Sequence, residues 1–321
     1  MRNKTQNAKA VKANSDFMER AARFMHSVKV NKALLIMLIP GLVYYAVFCY
    51  APMYGLQISF KDFRIMDGIA ASPWVGLKYY EMALANTEFW RVFKNTLIIS
   101  GLKLLINFPA PIILALLLNE VRAMRFKKVV QTVSYLPHFL SWVVLAGVIG
   151  TFLSPSTGPI NGLLVQLGIK PIYFVADKNW FRPILVILSL WKEVGWSSII
   201  YLAALSSVDP ELYEAAMLDG AGRFKQTIHI TLPAISNVIV IMLIFAVGGI
   251  VNDDFDQIFN LYTPAVYSVG DVLSTYVYRI GLEGMQYSYS TAIGLFKNVI
   301  AFILIITTNY LSGKFSDYGL W

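Results

Sequence analysis

The side chains of this sequence that could carry metal or nucleophilic chemistry are few and badly spaced for it. Three histidines (His26, His138, His229) and one cysteine (Cys49) lie far apart, so neither a multi-cysteine metal site nor a disulfide framework can form. No G-x-x-x-x-G-K-[ST] loop is present to cradle a nucleotide phosphate. The residues that stand out are charges inside otherwise apolar runs: Lys103, the adjacent Lys192 and Glu193, and Lys297. An ionised side chain within hydrocarbon costs several kcal/mol unless it is paired or hydrated, so such residues line a polar path or pair within a bundle. Lys192 and Glu193 point about 100° apart on one helix, which favours partners on other helices. Lys297 lies near the outer third of its run and can snorkel.

The elements that must hold these charges follow from composition. Of 321 residues, 57% are hydrophobic and only 14% charged, with a mean hydropathy of +0.58. A soluble domain carries roughly 25% charged residues, so a soluble enzyme is excluded. Six stretches are long and apolar enough to cross a bilayer: 33–53, 96–118, 129–153, 184–205, 234–251 and 291–311. Their continuous apolar character indicates helices, not the alternating segments of a barrel. The expected fold is an all-α polytopic bundle of six transmembrane helices over 33–311. A basic tail (1–32) precedes it and a short tail (312–321) follows. The polar stretch ahead of the first span, and that span's length, argue against a cleavable signal.

Lysine and arginine bias sets the orientation. With the N-terminus inside, the inner segments hold 15 of these residues and the outer segments 9, which places both termini in the cytoplasm. The net charge of +8 therefore reads as topology, and no nucleic-acid partner is implied. Phe17, Ala21, Phe24, Met25 and Val28 recur at helical spacing among Arg20, Arg23 and Lys29. This predicts an amphipathic helix on the inner leaflet over 16–30, in contact with membrane lipid.

The loop over 206–233 has its own pattern. Asp209-Pro210-Glu211 reads as a helix start, with an N-cap acid and proline at the first helical position. A short helix to Leu218 then meets Asp219-Gly220, and a second short basic segment (223–229) leads to Leu232-Pro233. Leu212, Tyr213, Ala216 and Met217 share one face, and Ala215, Ala216 and Gly220 are small enough for close approach by a partner. Two readings fit this periodicity: a docking helix for a soluble protein, or a connector packed on the membrane or its own bundle.

Glu214-Ala215-Ala216, then Gly220, then Ile230-Thr231-Leu232-Pro233 resembles the EAA loop of binding-protein-dependent ABC importer permeases. The segments 134–139 (Ser-Tyr-Leu-Pro-His-Phe), 191–196 (Trp-Lys-Glu-Val-Gly-Trp), 255–259 (Phe-Asp-Gln-Ile-Phe) and the Gly319-Leu320-Trp321 end resemble its oligosaccharide and polysaccharide branch. The similarity covers roughly residues 30–321. One departure is Asp253-Asp254 before Phe255, where a small residue such as glycine is expected.

The resemblance implies that 210–220 is a coupling helix seated in a cytosolic ATPase. Glu214 would supply polar contacts, Ala215 and Ala216 close packing, and Gly220 the turn, with Leu212, Tyr213, Met217 and Asp219 around them. It further implies a second, different permease, two ATPase subunits carrying ATP and Mg, an external solute-binding protein and a bacterial cytoplasmic (inner) membrane location. No cofactor is expected in this chain. For an oligosaccharide path the candidate residues are Lys103, Asn107, Trp191, Lys192, Glu193, Trp196, Asn252, Asp256, Gln257, Lys297 and Asn298. Aromatic faces stack on sugar rings and polar groups bind hydroxyls, although aromatics near span ends also form interfacial belts. Trp142 and Tyr201 belong to the same aromatic set.

Three lysines against one glutamate in the spans suggest acidic, uronate-containing sugars as cargo. Pro109, Pro111, Gly248 and Gly249 are places where a gate could flex. An importer of another solute class and a secondary transporter are the alternatives; the latter needs coupling-ion sites and repeat symmetry, which the sequence does not display.

Overall fold

The computed structural model describes residues 30–251 and 254–316. The amphipathic pattern up to residue 29, Asn252, Asp253 and the Gly319-Leu320-Trp321 end lie outside the described residues. The chain divides into two compact units, residues 1–57 and 58–321. In the first, α1 begins the helical run Lys32–Phe60. Pro40 sits inside its first α-helical stretch, Lys32–Tyr44, and a π-helical turn, Tyr45–Tyr50, follows.

The second unit holds α2 (Thr87–Glu120), α3 (Met124–Phe139), α4 (Trp142–Phe152), α5 (Lys178–Leu205), α6 (Pro210–Leu218), α7 (Arg223–Ala234), α8 (Ser236–Gly248), α9 (Phe255–Leu261), α10 (Leu273–Tyr278) and α11 (Tyr287–Lys314). There is no β-strand among the described residues, only an isolated bridge between Lys61 and Trp74. All six expected spans have helical counterparts, but two of them are broken. Among the described residues four helices are long and apolar enough to cross a membrane unaided, or up to six spans if each bent pair counts as one.

Sequence chemistry explains both breaks. The third expected span is the α3/α4 pair, bent by 104°. Pro137 sits in a tight 3-10 turn, Leu136–Phe139, where its ring cannot extend an α-helical hydrogen-bond ladder. Leu140 and Ser141 are then extended, and the Ser141 hydroxyl accepts from the Val144 amide to start α4 afresh. The fifth span is entered through α7, which contains a π turn (Thr227–Thr231) and Pro233, and α7 meets α8 at a 65° bend. α2 counts as one candidate span, but its α-helical ladder breaks at Phe108, directly before Pro109: Thr87–Asn107 ends there and Pro109–Glu120 begins. Gly248 is the last residue of α8.

α2 and α5 form the central pair and run in the same direction. Asn95 bonds Arg182, Asn107 bonds Ser189, and Ile112 and Ala115 share a core with Tyr201 and Leu205. Near the start of α5 a larger core gathers Ile99, Phe181, Leu185, Ile258 and Val272, and a neighbouring one gathers Phe89, Val92, Leu273, Tyr276 and Ile293. Outward-facing side chains such as Leu105, Leu117 and Phe302 are equally apolar. That pattern suits lipid, in which close packing and hydrogen bonds, not removal from water, hold helices together. Gly195 of α5 lies against Ser134: a Cβ there would come within 2.1 Å of the Ser134 carbonyl oxygen, so glycine sets how closely α5 crosses α3.

Candidate functional site

A cavity of about 430 Å³ opens between α2, α5 and α8. Its polar lining comes from Ser100, Lys103 and Asn107 of α2, Ser189, Glu193, Ser197 and Tyr201 of α5, and Asp254 just before α9. Phe108, Pro111, Met242, Phe245 and Ile250 supply apolar wall. Lys103 donates to Asp254 Oδ2 at 2.7 Å and to Gln257 Oε1. Gln257 is fully buried and held from behind by its own bond to the Leu185 carbonyl oxygen at 2.7 Å. Asn107 donates to Ser189 Oγ at 2.6 Å, while its own amide oxygen is buried with no protein donor among the described residues. Such an orphaned acceptor suits a hydroxyl or water donor.

Lys192 and Glu193 meet both each other and another helix. Their charged ends lie 3.5 Å apart. Lys192 donates to the His138 carbonyl oxygen at 2.6 Å, and Glu193 Oε2 lies 2.8 Å from His138 Nδ1. The His138 ring stacks on Trp196, with centroids 4.4 Å apart and planes 2° apart. Lys192 is buried over the Trp142 ring, outside the cavity lining. The cluster pins the α3/α4 break to α5 and fixes Glu193 at the cavity wall.

The remaining candidates disperse. Trp191, Asp256 and Asn298 are exposed and do not line this cavity. Lys297 bonds Ser274 Oγ at 3.1 Å. Ser274 lines a second groove of about 440 Å³ with Phe255, Tyr278 and Tyr287. The excess of lysine over the spans therefore does not describe the cavity, whose charged lining is Lys103, Glu193 and Asp254.

Sequence reasoning passed over a buried polar cluster joining α2, α5 and α10. Asp271, with no exposed surface, accepts from Arg279 at 2.6 Å and from Thr275 at 2.8 Å. Arg279 also reaches Glu88 at 3.4 Å and lies over the Tyr267 ring. Asn95 donates to the Asp271 carbonyl oxygen, Arg182 to Asn95 and to the Val269 carbonyl oxygen. Burial pushes the Asp271 carboxyl above its usual range, against the opposing pull of Arg279 and Thr275; Asp271 in turn raises Arg279. These residues come from segments with no shared motif, so only the fold brings them together.

The loop helix α6 forms as its punctuation predicts. Asp209 Oδ1 accepts from the Glu211 amide at 2.9 Å and Pro210 occupies the first position. At the other end Gly220 has φ +76°, with Gly220 N–H bonded to Met217 O and Ala221 N–H to Ala216 O. This paired closure requires a left-handed residue, which glycine adopts without a steric penalty. The shared face is divided. Tyr213 and Ala216, at its centre, are half-buried, and Tyr213 Oη lies 3.0 Å from Thr231 Oγ1 of α7. Leu212, Glu214, Ala215, Met217 and Asp219 remain exposed, as does Leu218 at 90%. A short helix held beneath by its own chain thus presents an apolar and acidic surface. Arg223 of α7 is tied to Glu120, the last residue of α2, at 3.1 Å.

Residues 107–316 match the family described as binding-protein-dependent transport system inner membrane component. The chain is 46% identical over 298 residues to Protein LplB of Bacillus subtilis (strain 168), covering 93% of this chain and 94% of that one. It is 44% identical over 303 residues to the polygalacturonan/rhamnogalacturonan transport system permease protein YteP of the same organism, covering 94% of each. Among solved structures it resembles a chain of a bacterial ABC transporter involved in the import of the acidic polysaccharide alginate. That match has a TM-score of 0.85 and 42% identity, over 92% of this chain and 99% of that chain. A similar chain occurs in the alginate transporter in complex with an alginate pentasaccharide-bound periplasmic protein.

Proposed function

The chain belongs to the binding-protein-dependent transport system inner membrane components, and on that premise we propose that it is one permease of an ATP-driven importer for acidic oligosaccharides. Oligosaccharide chemistry is supported by the cavity between α2, α5 and α8, where serine, asparagine and tyrosine side chains can bond hydroxyls and Lys103 can meet a carboxylate. The single observation carrying the acidic substrate class is likeness over more than nine-tenths of the chain to a polygalacturonan/rhamnogalacturonan permease and to an alginate importer chain. A second permease would complete the path, two cytosolic ATPases would bind ATP and Mg, and an external binding protein would deliver the sugar. Both termini and the 206–233 loop would then lie on the cytoplasmic side, in keeping with the lysine and arginine bias.

Coupling would run through α6. Its exposed Leu212, Glu214, Ala215, Met217 and Leu218 would seat in an ATPase groove. Tyr213–Thr231 and Arg223–Glu120 would pass the movement to α7 and α2. Closure of the ATPases on ATP would then tilt the equilibrium between outward- and inward-open arrangements, in proportion to their preference for one of the two. The test is uptake of labelled tetragalacturonate by cells lacking this chain and cells in which it is restored. Restoration of tetragalacturonate uptake, competed by unlabelled alginate oligomers but not by maltotetraose, is the expected result. Uptake restored only for neutral oligosaccharides would redirect the reading to a neutral cargo.

A further inference from the structure

The cavity contains one cation among its described lining residues, and the way that cation is held suggests how it is used. Lys103 is mostly enclosed, its side chain 13% exposed, and an ammonium carries three N–H donors. Among the described residues two acceptors take it, and they differ in kind. Gln257 Oε1 is a fixed acceptor, because the Gln257 side chain is buried and tethered to the Leu185 carbonyl oxygen. Asp254 is a loose one: its side chain is 53% exposed and lines the cavity. Asp254 also holds the N-cap position of α9, yet its side chain accepts no capping bond from that helix. Its carboxylate is turned to Lys103 instead. Glu193, the other charged lining residue, is already engaged by His138 and Lys192.

We propose that Lys103 reads the carboxylate of a uronate residue in transit, and that Asp254 is its exchangeable counter-ion. Resting on the acidic-oligosaccharide reading above, the exchange puts a sugar carboxylate in the place of Asp254 while Gln257 keeps the ammonium aimed into the cavity. One charge-assisted bond replaces another, so Lys103 is never left buried and unpaired. A neutral sugar offers no carboxylate to exchange and leaves the Lys103–Asp254 pair in place. The pair thus favours acidic sugars over neutral ones.

The experiment compares tetragalacturonate with its carboxyl-reduced, neutral counterpart in proteoliposomes holding the complete importer with its binding protein. The readout is the ratio of half-saturating concentrations for the two sugars, at matched amounts of each variant in the membrane. In Lys103→Met that ratio is expected to move against the acidic sugar by about tenfold or more, with Lys103→Arg within about threefold of the unaltered protein. Asp254→Asn, which keeps the size of the side chain but removes the competing charge, is expected to move the ratio about threefold in favour of the acidic sugar. Equal weakening of both sugars by Lys103→Met, with no change of ratio in Asp254→Asn, would reduce the pair to a structural tie and overturn the proposal. Uptake of neither sugar by the unaltered importer would overturn the substrate reading and the exchange with it. Uptake of both with unmoved ratios overturns the exchange alone.

Discussion

The loop helix α6 and the Asp271 cluster are built in opposite ways. α6 is defined by bonds within its own stretch of chain: Asp209 to the Glu211 amide, Gly220 to Met217, Ala221 to Ala216. The Asp271 cluster is assembled from residues as far apart as Asn95 and Asp271, 176 positions along the chain. One is exposed, held below among the described residues by a long-range side-chain bond from Tyr213; the other is buried and ties α2, α5 and α10 into one unit. The difference separates two tasks. A part that must meet a partner can be a portable, locally encoded shape, whereas a part that must stay rigid during movement needs cross-links between elements.

This contrast can be broken or sharpened by substitution. The largest effect is expected from Asp271→Ala. It leaves Arg279 largely buried with the longer contact to Glu88 as its remaining ion pair among the described residues, and losing one partner of a buried pair costs about 3–5 kcal/mol. Thermal unfolding in detergent and the amount of chain in the membrane should both fall, and an unchanged melting temperature would sink the view that this cluster is the rigid element. Next in size is Gly220→Val. Holding a β-branched residue at φ +76° costs roughly 1–2 kcal/mol, all of it within the loop. Here the melting temperature should hold while sugar-stimulated ATP hydrolysis by the assembled importer collapses; if hydrolysis and uptake stayed coupled, α6 would not be the coupling element.

Asp209→Ala removes only the N-cap bond, worth about 1 kcal/mol, and should lower coupled uptake severalfold without changing chain abundance. The smallest change is Tyr213→Phe, which deletes the hydroxyl contact with Thr231 at about 0.5–1.5 kcal/mol. A modest loss of uptake per ATP hydrolysed would show that α6 transmits through α7. No change in that ratio would assign transmission to the Arg223–Glu120 tie instead.

Much of the site was legible in the chain, and the pattern of what was missed is physical. Asp209, Pro210 and Gly220 announced α6 because caps and left-handed turns act over a few residues. Lys103, Asn107 and Glu193 were found because polar groups in apolar runs are rare. Their partners were not found. Nothing in the sequence pairs Lys103 with Asp254, or Glu193 with His138, since each pair depends on where helices cross. The same holds for the shared face of α6, where periodicity grouped Leu212, Tyr213, Ala216 and Met217 but could not say that Tyr213 turns inward to Thr231. Pro137 marked a disturbance in the third span, and only the fold made it a 104° break.

Composition and periodicity by themselves determined that this chain is an all-α membrane protein, where its apolar runs lie and where the loop helix starts and stops. These properties arise from hydrophobic length and from hydrogen bonds between near neighbours, which the order of residues fixes directly. The tertiary structure alone decided which charges face a common cavity, which neutralise one another and which lie elsewhere. A charge inside a bundle has its meaning set by its neighbours in space, and those neighbours are chosen by helix crossings such as that of Gly195 against Ser134.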